Sequence, residues 1–133
     1  MPNPTHFKNY QRVKPQDPFP GGGKVALLID GKDCGNRVRA ELVELQEGEA
    51  FPLHIHPKSD HVIIVVGGEG HLQWEVDKRE ITTGDTFVVP MGEIHSIKAG
   101  DKSPLRFMVV NVPPVDFDNE HFMQPVDPKS AAD

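Results

Sequence analysis

The 133 residues contain a single cysteine, a single tyrosine and a single tryptophan. With Cys34 alone, no intramolecular disulfide can form, and its surroundings, Asp30 to Asn36, offer no second thiol for redox work. It reads as a turn residue. There is no apolar run of eighteen or more residues and no charged-then-apolar leader, so the expectation is a soluble, unexported, cytoplasmic protein without a membrane span. Positive charge is in deficit: 14 Lys and Arg stand against 20 Asp and Glu, a net charge of -6 with no basic cluster to offset it. That argues against nucleic acid or an anionic membrane as partner. Sustained 3.6-residue periodicity is also missing, and no helix-turn-helix segment precedes the apolar segments.

Turn-forming residues are plentiful, with 13 prolines and 12 glycines. The length suits one domain with one core. Residues 1–24 hold five prolines and Gly21-Gly22-Gly23, a composition poor in burial and expected as an arm; residues 113–133, after Pro113-Pro114, are expected as a tail. Between them, residues 25–112 break into short apolar segments separated by turn residues. Strands are expected at 25–29, 37–45, 62–66, 71–76, 79–82, 86–89, 95–98 and 105–112. Segment 37–45 alternates, which places Val38, Ala40 and Leu42 on a buried face and Arg37, Arg39 and Glu41 on a polar one. Many short strands with frequent turns predict an all-β sandwich or barrel.

Three of the seven histidines fall within eight residues, in Gly-Glu-Ala-Phe-Pro-Leu-His-Ile-His-Pro-Lys-Ser-Asp-His from Gly48 to His61. Strand side chains alternate, so His54 and His56 share one face, and Pro57 disfavours a helix at His56. Gly48, His54, His56 and Gly68 stand at the spacing of the first cupin motif, and Gly84, Pro90, Gly92 and His95 at that of the second. The stretch 37–112 therefore resembles the cupin superfamily. It departs from the pattern twice: His61 stands where glutamate is usual (motif 48–68), and Ala99 where asparagine often closes the second motif (84–99). His6, His71 and His121 have no such support and are expected on the surface or in the tails.

The resemblance implies a double-stranded β-helix, the small jelly-roll barrel, with one divalent metal held by His54, His56, His61 and His95. It is similar to a small four-histidine group that holds manganese. Imidazole donors suit zinc, copper, iron and nickel; the resemblance adds manganese, and manganese or iron is favoured. Such an ion keeps two positions open, and an apolar lumen of Phe51, Phe87, Ile63, Val65, Phe107 and some of Met91 and Met108 suits a small organic substrate. An oxidoreductase of dioxygenase or peroxygenase type is the first expectation. The alternatives are a metal-assisted isomerase or lyase, with Glu93 or a metal-bound hydroxide as base, and a non-catalytic ligand-binding module. Gln73, Arg39 and Arg106 are the candidates for orienting a substrate, and no catalytic residue is assigned. Strand parity turns Val62, Ile64 and Val66 outward, with Leu53 and Ile55 likewise outward, so an apolar outer wall is expected to be covered by the N-terminal arm or by a second copy in a homodimer.

Overall fold

A computed structural model describes residues 7–18, 23–74, 77–114 and 124–125. His6 and His121 lie outside these residues. Eleven strands are described: β1 (Asp17–Pro18), β2 (Lys24–Ile29), β3 (Arg39–Leu45), β4 (His54–Ile55), β5 (Asp60–Gly67), β6 (Glu69–Trp74), β7 (Lys78–Thr82), β8 (Thr86–Val89), β9 (His95–Ala99), β10 (Leu105–Val112) and β11 (Gln124–Pro125). They form a six-stranded sheet in the order β1-β2-β3-β10-β5-β8 and a five-stranded sheet in the order β11-β4-β9-β6-β7, paired antiparallel throughout. The fold is the double-stranded β-helix. No helix among the described residues is long and apolar enough to cross a membrane.

Alternation builds the barrel. In β5 every second side chain, His61, Ile63 and Val65, is buried, and Asp60, Val62, Ile64 and Val66 between them are half-buried. The lumen core joins Val43, Leu45, Ile63, Val65, Leu105 and Phe107 of the larger sheet to Leu72, Ile81 and Ile97 of the smaller one. Each side chain so buried contributes about 1.5–3 kcal/mol. Gly68 turns the chain between β5 and β6. Its φ of +81° favours glycine, and a Cβ there would lie 2.1 Å from the Pro104 carbonyl oxygen.

A second apolar cluster covers the outside of the larger sheet. Leu28, Ala40 and Leu42 pack there with Val66, Met108 and Val110 under Tyr10 and Val13 of the N-terminal arm. Lys8 Nζ donates to the Leu27 carbonyl at 3.0 Å, and Arg106 Nη2 donates to the Val13 carbonyl at 3.4 Å, which ties the arm down.

Three details of the sequence reading need correction. Strand β3 has no solvated face: its Ala40 and Leu42 side lies under the arm, so the side read as polar is the one that enters the lumen, and Glu41 is only 2% exposed. The expected outer wall is also divided. Leu53 and Ile55 belong to the β4 region of the smaller sheet, whereas Val62, Ile64 and Val66 belong to β5 of the larger one, so they face away from each other across the barrel. Finally, Met108 packs in the outer cluster and Met91 is 48% exposed, so neither lines the lumen.

Candidate metal centre

The histidines converge because of register. His54 in β4 is the direct cross-strand partner of His95 in β9, and opposed residues share a face of the sheet. Their ring centroids are 4.2 Å apart. His56, two residues beyond His54, returns to the same face; its ring lies 4.8 Å from that of His54 and 5.2 Å from that of His95. The loop between β8 and β9 is held against this edge by two bonds, Gly92 N–H to the His56 carbonyl at 2.9 Å and Met91 N–H to Asp60 Oδ1 at 2.8 Å. Gly92 makes the bend possible with a φ of +80°. Ser96, buried beside His95, donates its hydroxyl to the Phe51 carbonyl at 2.8 Å and fixes the approach to β4.

The donor atoms of His54, His56 and His95 all lie within 4.8 Å of one another. His61 enters from the opposite sheet and stacks on His56, with centroids 3.7 Å apart and 27° between planes. His71, by contrast, is on the outside, 4.0 Å from Glu80.

Chemistry and geometry both fit an ion between His54, His56 and His95, and His61 stands outside the set of donors that lie within 4.8 Å of one another. His54 Nδ1 is 2.7 Å from the Pro52 carbonyl and His95 Nδ1 is 3.0 Å from the Glu93 carbonyl. A carbonyl only accepts, so Nδ1 carries the proton in both rings and each Nε2 presents a lone pair. The Nε2 atoms of His54 and His56 are 3.1 Å apart. Two nitrogens at right angles about an ion, each about 2.1 Å from it, would be separated by about 3 Å. Nε2 of His61 is buried and has no hydrogen-bond partner within the protein, the condition of a donor that an ion would satisfy. In His54, His61 and His95 the environment favours the neutral ring, the form that ligation requires. Burial lowers the pKa of His54 despite its bond to Pro52. Burial, and then the neighbouring His54, pushes His95 down to about 3. Burial, followed by His56, His95 and His54, holds His61 well below the ordinary value.

A second polar group in the lumen escaped the sequence reading. Glu41 on β3 accepts a short hydrogen bond from Asn111 Nδ2, and its Oε1 lies 3.5 Å from Arg39 Nε. Asn111 also donates to the Arg39 carbonyl at 3.2 Å. On β10 Asn111 stands directly opposite His61, so the carboxyl group and the imidazoles belong to one end of the chamber. Burial raises the Glu41 pKa to about 7, with Arg39 and Asn111 pulling the other way. The signal was present in the parity: Arg39 and Glu41 alternate in step with Val43 and Leu45, which are core residues. Of the candidate orienting residues, Arg39 reaches this end of the lumen. Gln73 is exposed, and Arg106 faces outward with its Nε 3.9 Å from Glu44.

A double-stranded β-helix with three buried histidines placed as metal donors at one end defines the class: a small barrel with a candidate metal site. The chain belongs to the cupin domain family, whose family model matches residues 41–111. It is 30% identical over 78 residues to the quercetin 2,3-dioxygenase of Bacillus subtilis, a match covering 58% of this chain and 23% of that protein. Among solved structures it is similar to KdgF from Halomonas sp., with a TM-score of 0.72, 23% identity, and coverage of 88% of this chain and 100% of that one. It is also similar to the polyketide cyclase RemF from Streptomyces resistomycificus, with a TM-score of 0.71, 24% identity, and coverage of 96% and 86%. At these identities the two structural likenesses are of fold alone.

Proposed function

We propose that the protein is a metal-dependent oxidoreductase of dioxygenase or peroxygenase type, with His54, His56, His61 and His95 holding one divalent ion per chain, manganese or iron. The observation that carries this reading is the buried cluster of imidazoles, two of them locked by backbone carbonyls into the tautomer that presents Nε2. The partial match to a quercetin 2,3-dioxygenase supports the choice of oxygen chemistry. A bound ion supplies a Lewis-acid centre and, with a redox-active metal, electron transfer between an organic substrate and oxygen or peroxide. The chain's own contribution is positional. Backbone carbonyls of Pro52 and Glu93 fix the rings, and Phe51, Ile63 and Phe107 surround the chamber with apolar surface that excludes water and favours a small, mostly apolar substrate.

The test is elemental analysis of protein purified without a histidine tag, then oxygen-uptake and peroxide-turnover assays with each metal restored. The reading expects one ion per chain and oxygen or peroxide consumption with manganese or iron but not with zinc. Equal turnover of a substrate with zinc would move the protein to a Lewis-acid lyase or isomerase.

We propose further that it forms a homodimer through the outside of the larger sheet. Val62 and Ile64 are only half-buried there, and Val88, opposite Val62, is 57% exposed. Ile64→Glu should give monomer or aggregate in sedimentation, and a monomeric wild type would refute the dimer.

A further inference from the structure

The imidazole cluster has no carboxylate among its donors, so a carboxylate base for ligand or substrate would come from elsewhere in the lumen. Glu41 is the only buried carboxylate among the described residues. Its position is set by register. Glu41 pairs with Val109 and Asn111 pairs with His61, so β10 alone separates Glu41 from the histidine strand, by two strand spacings or about 10 Å between backbones. Both side chains point inward from that separation, and Asn111, which donates to the Glu41 carboxyl, stands between them. The charged and titratable groups around this space are Arg39 on the same strand, His61 on β5, and His54, His56 and His95 from the facing sheet. On the other side, β2 offers Leu27 opposite Glu41, and β10 offers neutral Asn111.

We propose that Glu41 is the proton acceptor of this chamber, taking the proton of an ionisable hydroxyl on a small enol, enediol or phenol as that ligand enters the metal centre. In this step the ligand O–H bond breaks and its electron pair stays on the oxygen. A new O–H bond forms on the Glu41 carboxylate, so negative charge moves from β3 to the ligand oxygen beside the imidazoles and the chamber's net charge is unchanged. Asn111 and Arg39 hold the carboxyl in place before and after the transfer. A group poised near neutral pH suits this work, since general-base efficiency is greatest when the pKa lies near the operating pH. The inference rests on the metal reading above, because the ion draws the hydroxyl into its anionic form.

The experiment counts protons. Catechol is added to manganese-loaded wild type and Glu41→Gln protein in weakly buffered solution at pH 8, and the protons released per catechol bound are read with an indicator dye. Wild type should release close to none, because the new negative charge on the ligand raises the Glu41 pKa further and the carboxyl keeps the proton, and Glu41→Gln should release about one. Infrared difference spectra of the wild type alone should show a carboxylate band replaced by a carboxylic acid band on binding, a readout that does not depend on the variant folding. Release of about one proton from the wild type with no acid band would overturn the role of Glu41 and leave the metal centre intact. Failure of catechol to bind the metal-loaded wild type would overturn the role of Glu41, and failure of the protein to take up manganese would overturn the metal reading with it.

Discussion

The two ends of the barrel are built on the same strands by the same alternation, yet they do opposite things. At one end β3, β5 and β10 send Val43, Leu45, Val65, Leu105 and Phe107 inward; at the other the same strands send Glu41, His61 and Asn111. The first end is dry and close-packed, and its burial stabilises the fold. The second holds titratable groups out of water, which opposes folding unless each finds a partner. The barrel therefore supplies from its apolar end the stability that offsets the burial of titratable groups at its polar end, and the candidate site lies in the half that contributes least to stability.

The contrast can be tested by damaging each end in turn. Phe107→Ala should produce the largest effect, a loss of about 3–5 kcal/mol in urea denaturation of the metal-free protein, since a ring 1% exposed leaves a cavity behind. If the histidine substitutions were as damaging to the metal-free fold, the division of labour would be wrong. The His54→Ala, His56→Ala double variant should instead lower metal affinity by more than about 100-fold in competition with a chelator, with a smaller change in metal-free stability. Full metal occupancy in that variant would remove both residues from the ligand set.

The smallest effect is in the pH profile, and its sign differs between the groups. His54, His61 and His95 have folded-state pKa values below that of the unfolded chain, so the unfolded state binds more protons in acid. Metal-free stability is unaffected by them above about pH 6.5 and falls as the pH drops below it, by about 2 kcal/mol for His95 alone between pH 6.5 and pH 5. Glu41 works in reverse. Its folded pKa of about 7 lies above the unfolded 4.5, so its protonated form favours the fold, and that stability is lost as pH rises from 4.5 through 7. Glu41→Gln should then raise the melting temperature at pH 8 and leave it little changed at pH 4.5. A flat difference between the two proteins across that range would mean that Glu41 is ionised throughout.

The apolar end and the histidines were legible in the sequence for the same reason. Both obey a short-range period, two residues for the strands and the fixed motif spacing for His54, His56 and His95, and neither depends on what packs from afar. Glu41 was misplaced because its strand is covered on both sides. Once the arm with Tyr10 and Val13 lies over Ala40 and Leu42, alternation of charged with apolar residues no longer marks a water-facing side. Nothing local to β3 reports that arm. The split of Leu53 and Ile55 from Val62 and Ile64 was hidden similarly, since parity tells which way a side chain points within a sheet but not which sheet the strand joins.

The carbonyls that hold His54 and His95 belong in each case to the residue two positions earlier, Pro52 and Glu93. Every amino acid has a main-chain carbonyl, so the choice of coordinating nitrogen is insulated from mutational drift at either neighbour. Side chains at those two positions can vary in response to other selective demands, such as the shape of the chamber's rim, while the chemistry of the imidazoles is inherited unchanged.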